Sequence, residues 1–132
     1  MMNLLAVTSI YAGISGLIVL FLVLQVVRVR QRERVGIGDG ANKQLNRYIR
    51  VHGNAIEFLP ILLILLALSE VSGMRAELLH GFGVAIVLGR LLHAHGLGRS
   101  AGASFGRATG TILSLIALLG LSLALLGRAW WI

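Results

Sequence analysis

Four long apolar runs alternate with short polar stretches along the chain. Residues 4–27 carry no charge and are mostly Leu, Val, Ile and Ala. A second apolar run, 55–71, is interrupted only by Glu57 and Glu70. A third extends from about Leu78 to His93, and a fourth, 109–127, again has no charge inside it. About 20 mostly apolar residues in a helix cross the hydrocarbon of a bilayer. The pattern therefore predicts four transmembrane helices in a single domain, 1–132, an all-α integral membrane four-helix bundle. The second helix is expected to start before its apolar run, near Asn42 or Gln44, and to project past the membrane. The connections then cover 28–41, 72–76 and 94–106. The middle one is short enough for a tight hairpin, and the other two are Gly-rich and polar. The first run has no basic segment before it and no small-residue cleavage site after it, so it reads as a span rather than a signal peptide.

Composition agrees. The 132 residues are 57% hydrophobic, above the share of an ordinary soluble domain. Zero cysteines exclude disulfides, thiolate metal sites and a cysteine nucleophile, so any thiol chemistry uses a thiol brought by a substrate. The net charge of +7 would suggest nucleic acid in a soluble protein, but the basic residues sit between apolar spans and lack interleaved aromatic residues that stack bases. Nucleic acid is not an expected partner; membrane lipids are.

Charge asymmetry orients the spans. Arg28, Arg30, Arg32, Arg34, Lys43, Arg47 and Arg50 flank the first connection, and Arg90, Arg99 and Arg107 flank the third. Only Arg75 and Arg128 lie on the other side. Basic loops stay in the cytoplasm, so both termini are expected outside, with Trp130 and Trp131 as an interfacial anchor. Small residues recur every four positions at Gly81, Ala85 and Gly89, and from Gly98 through Gly102 and Gly106 to Gly110. Such stripes let helices approach closely in lipid, and ordinary bundle packing is the favoured reading.

Residues 47–60, RYIRVHGNAIEFLP, place strongly polar side chains at the start of the second apolar run. Intramembrane polar residues are costly and mark function by default. Arg50, Asn54 and Glu57 are spaced i, i+4, i+7 and share one helix face. In a four-helix bundle three patches are expected at one depth: Arg28 and Arg30; Arg47, Arg50, Asn54 and Glu57; and Arg90 and His93 with Arg107. Arginine forks suit carboxylates, Asn54 both donates and accepts, and Glu57 accepts from an ammonium group or neutralises Arg50. Together they read as a half-buried pocket for a small, mostly anionic zwitterion. Arg30, Arg32 and Arg34 are read instead as a flank meeting lipid headgroups, and His80 as interfacial. His93 and His95, two apart, cannot face one ligand from a helix. The absence of HxxxH or HxxE spacing argues against a metal site.

These residues carry a family resemblance. The R-x-x-x-N-x-x-E pattern at Arg50, Asn54 and Glu57, followed by Pro60, resembles a bacterial member of the MAPEG family, the membrane-associated proteins in eicosanoid and glutathione metabolism. VRVR around Arg28 and Arg30, GDG at 38–40, GRLLHAHGL at 89–97 and FGRATG at 105–110 extend it over nearly the whole chain. The resemblance implies a homotrimer in the bacterial inner membrane, binding glutathione between subunits near the cytoplasmic face. Arg28, Arg50, Asn54, Glu57, Arg90 and His93 would bind glutathione, the co-substrate, and Arg107 would stabilise its thiolate as the catalytic residue. A hydrophobic small molecule or lipid would be the second substrate. Phe58 and Leu97 stand where eukaryotic members carry tyrosine, and Ala108 where a prostaglandin-synthase-type member has serine. These departures point away from eicosanoid chemistry. The expected activity is glutathione transferase, extended to peroxidase action on lipid hydroperoxides. The alternatives are a non-catalytic protein retaining the fold, and a small four-span drug exporter. Exporters of that kind carry an acidic residue in their first span, and residues 4–27 have none.

Overall fold

The computed structural model describes residues 4–99 and 104–130, the side chains of 97–99 excepted. Four helices, α1 Ala6–Glu33, α2 Lys43–Val71, α3 Ala76–Arg99 and α4 Phe105–Ala129, run alternately up and down. All four are long and apolar enough to cross a membrane. The helices outrun the apolar segments at the end that carries the first and third connections. α1 continues through its arginines to Glu33, and α3 runs past His93 to Arg99. Hydropathy marks where lipid ends, whereas a helix continues until its backbone is stopped, and arginine is a good helix former. The connections are accordingly shorter than the sequence pattern predicts.

Local chemistry sets the boundaries. Arg34 ends α1 in the left-handed region, its N–H bonded to the Arg30 carbonyl. Asn42 caps α2 at the expected place, its side-chain oxygen accepting from the Gln44 and Leu45 N–H groups. Between them Gly38 and Gly40 have φ of +69° and +55°, which explains the glycines of the GDG segment. Asp39 accepts from the Asn46 side chain and the Ala41 N–H, and these bonds hold its carboxyl below the usual carboxylate range. Residues 72–75 make the expected tight hairpin. Ser104 caps α4 through the Arg107 N–H.

One stripe of α2, Val51, Ala55, Leu59, Leu62 and Leu66, is buried against Leu79 and Ile86 of α3 and Ala117 and Leu121 of α4. That i, i+3/i+4 spacing makes α2 the inner helix. α1 packs on α2 and α3, α4 packs on the same two helices, and α1 and α4 do not meet among the described residues. The closest approach is between α3 and α4. A Cβ at Gly110 would stand 2.6 Å from the His93 nitrogen, and one at Gly89 2.8 Å from the Ser114 hydroxyl. Gly106 likewise faces the Leu92 carbonyl. The small-residue stripe is thus packing at Gly89, Gly106 and Gly110, while Gly81 meets open space. Gly98 and Gly102 lie outside the described set, as do Trp131 and the side chains of Arg99 and Leu97. Trp130 ends α4 fully exposed.

Candidate functional site

The most buried charge is Arg90, only 2% exposed in the middle of the bundle. Its guanidinium joins three helices. One terminal nitrogen donates to the Asn54 side-chain oxygen on α2, and the other donates to the Ser114 hydroxyl (2.6 Å) and the Gly110 carbonyl (3.2 Å) on α4. The cation lies 4.7 Å over the centre of the Phe58 ring. Glycine at 110 lets α4 come close enough to offer its carbonyl. No carboxylate among the described residues touches Arg90, so neutral oxygens and an aromatic face compensate its charge. Its Nε has no partner there. Arg90 is enclosed by the protein, and its visible role is to orient Asn54 and tie α3 to α2 and α4.

One turn along α3, His93 is buried on the same side, next to a hollow of about 470 Å³ that it lines with Ser104, Arg107 and Thr111. Arg107 is half-buried in the first turn of α4, where the helix N-terminus adds positive potential. Asn54, Arg90, His93 and Arg107 therefore form a polar string from α2 across α3 to α4. His95 faces away, exposed on the α1 side, as the two-residue spacing requires.

The remaining expected site residues are not gathered by a single chain. Arg50 and Glu57 are exposed on the outer face of α2, and Arg28 is exposed on α1. None of the three has a hydrogen bond or ion pair among the described residues, so the alternative of an Arg50–Glu57 pair inside the bundle is absent from this subunit. Arg30 donates to the Val35 and Gly36 carbonyls, and Arg32 to Glu33 and the Gln44 side chain, so these flank arginines secure the α1–α2 connection. Arg47 is half-buried by a second hollow with Asp39 and Asn46.

Sequence reasoning missed Ser114, the partner of Arg90. A hydroxyl one turn beyond Gly110, one of four in an uncharged span with Thr109, Thr111 and Ser122, was the available signal. It also missed the opposite end of the bundle. There Glu70 accepts from the Val7 and Thr8 N–H groups at 2.8 and 2.7 Å, capping α1. His80 is more than interfacial, since its Nδ1 shares a 2.9 Å hydrogen bond with the Tyr11 hydroxyl. Among the described residues no three His, Asp or Glu side chains stand together as a metal site would need.

A family model described as MAPEG family matches residues 8–127. The chain is similar to inner membrane protein YecN of Escherichia coli strain K12, at 38% identity over 90 residues, 68% of this chain and 69% of that protein. The protein of the same name from Escherichia coli O6:H1 matches to the same extent.

Proposed function

The chain belongs to the MAPEG family, and on that premise we propose that it binds glutathione in a homotrimer and joins the glutathione thiolate to lipophilic electrophiles. The observation that carries the reading is that Arg50 and Glu57 have no hydrogen bond or ion pair among the described residues. Both are exposed on an apolar helix, one turn to either side of an Asn54 held in place by buried Arg90. Charges left in this state at membrane depth are costly. A zwitterionic tripeptide supplies carboxylates for arginine and an ammonium for Glu57, and a neighbouring subunit supplies the wall that one chain lacks. Arg28, exposed on α1, is a further carboxylate contact in this assembly.

The chemistry falls to Arg107. A free thiol has a pKa of about 8.5, and lowering it by ~2 units corresponds to about 2.7 kcal/mol of preferential thiolate stabilisation. A guanidinium at a helix N-terminus supplies potential of the right sign. The thiolate sulfur then bonds to the electrophilic carbon as the leaving group departs with its electron pair. The name of the relative YecN supports an inner-membrane protein, and the bias of basic residues in the loops favours both termini outside with this site facing the cytoplasm. Phe58 favours a second reading, a binding protein without turnover, because it offers Arg90 a ring face and has no hydroxyl for a ligand.

Adding glutathione to purified protein in detergent, with thiolate absorbance followed in the ultraviolet, tests the proposal. Wild type is expected to bind with a thiolate signal. Arg107→Ala is expected to lose the signal while keeping much of the binding, and Arg107→Lys to regain part of it, since a point charge remains without the planar fork. Binding without thiolate in wild type would favour the non-catalytic reading, and no binding would overturn both.

A further inference from the structure

The contact with Arg90 decides which way the Asn54 amide points. A guanidinium carries N–H donors and no acceptor. The atom that Asn54 turns to the Arg90 terminal nitrogen is therefore its side-chain oxygen. Asn54 is half-buried, with exposed Arg50 one turn before it and exposed Glu57 one turn after it. Its amide nitrogen has no hydrogen bond among the described residues. The orientation is held from α4. Ser114 has no exposed surface there. Its hydroxyl donates to the Gly110 carbonyl one turn back at 3.0 Å, which commits its only proton. The Ser114 oxygen then meets Arg90 purely as an acceptor, at 2.6 Å. The Gly110 carbonyl accepts from the same Arg90 nitrogen at 3.2 Å. Two α4 acceptors thus grip one end of a planar, rigid group, and its other terminal nitrogen is aimed at α2.

We propose that Ser114 is a positioning residue which, acting through Arg90, fixes the Asn54 amide so that its NH2 group meets the ligand and selects an acceptor oxygen. The inference rests on the glutathione reading and adds what the site requires between the ligand's charged ends. Arg50 takes a carboxylate, Glu57 takes an ammonium, and the amide between them takes a peptide carbonyl. A ligand that offers an N–H at that point meets another donor and loses the contact. Ser114 itself touches no ligand. Its effect on binding passes through two side chains, and a serine in place of an apolar residue is what lets α4 set the polarity of a group on α2.

The test uses the full chain in detergent and begins without ligand. The thermal midpoint should fall in Asn54→Leu, which leaves Arg90 without its α2 acceptor. It should hold or rise in Asn54→Asp, which keeps an oxygen facing the cation. An equal fall in both would overturn the orientation. Glutathione affinity, measured by calorimetry, should drop about ten-fold in both variants, whatever their midpoints. Ser114→Ala should weaken glutathione binding in the wild-type background and cost no further affinity in Asn54→Asp, because effects that pass through one group do not add. Its lower midpoint should persist in both backgrounds. An additive loss of affinity, or no loss at all, would make Ser114 structural only and overturn its positioning role. Glutathione analogues with either peptide bond replaced by an E-alkene check the selected atom. One of the two should bind wild type about ten-fold less well than glutathione, and that gap should close in Asn54→Leu. A gap of the same size in both proteins would overturn the selection of a carbonyl by Asn54. If wild type binds no glutathione, the proposed function falls and the selection with it, while the midpoints of the two Asn54 variants still decide whether Arg90 holds the amide.

Discussion

Arg90 and Glu57 belong to the same polar constellation in sequence, yet they stand in opposite environments. Arg90 is held inside by Asn54, Ser114 and the Gly110 carbonyl, whereas Glu57 has no partner among the described residues. Substitution should separate them. Ser114→Ala removes the 2.6 Å acceptor of a buried cation and is expected to cost about 1–3 kcal/mol, read as a lower thermal midpoint in detergent. Glu57→Gln is expected to leave that midpoint unchanged and to weaken glutathione binding roughly 10- to 150-fold, the value of a charged hydrogen bond of about 1.5–3 kcal/mol. A misfolded Glu57→Gln protein would show that the carboxylate serves the bundle rather than a ligand. The unpaired state of Glu57 could not be read from i, i+4, i+7 spacing, because spacing assigns a face and not what that face meets.

At the scale of elements, the pairing of α3 and α4 depends on glycine where backbones meet, and α1 depends on a borrowed cap. Gly110 and Gly81 belong to the same kind of stripe but predict opposite responses. At Gly110 an added Cβ meets the His93 nitrogen at 2.6 Å and backbone cannot yield cheaply, so Gly110→Ala should destabilise by about 1–3 kcal/mol. At Gly81 nothing lies within 4 Å, so Gly81→Ala should be neutral or stabilise by up to about 1 kcal/mol through helix propensity. Thermal melts of the two variants check the contrast, and equal responses would remove the close approach at Gly110. The α1 cap comes from Glu70, distant in sequence. Glu70→Ala should cost about 0.5–2 kcal/mol, seen as faster amide exchange at the start of α1.

The whole molecule is a bundle with its polar string inside and three candidate ligand contacts outside. A single subunit offers Arg28, Arg50 and Glu57 to its surroundings, and under the proposed function a second copy completes a site there. Native mass spectrometry in mild detergent should give trimers, and mixing Arg107→Ala with Glu57→Gln subunits should restore some intact sites if the two residues meet across a boundary. A monomer that binds glutathione would remove the shared site. A reporter fused after Ile132 should be active only outside the cytoplasm, following the ten-to-two bias of basic residues.

Several features are legible in the residues alone. The number of spans, the start of α2 at Asn42, the tight hairpin at 72–75 and the family all follow from local pattern, because hydropathy, capping and motif spacing act over a few neighbouring residues. The same holds for the opposed faces of His93 and His95. Helix ends beyond the apolar runs depended on backbone stops that hydropathy does not report. Which arginine lies inside depended on tertiary contact. Nothing in the spacing of Arg28, Arg50, Arg90 and Arg107 distinguishes them. Arg90 alone faces a place where α2 offers an amide oxygen and α4, through Gly110 and Ser114, comes close enough to accept its protons. Burying a cation is stabilising only when partners from other helices converge on it, and that convergence exists only in the folded bundle.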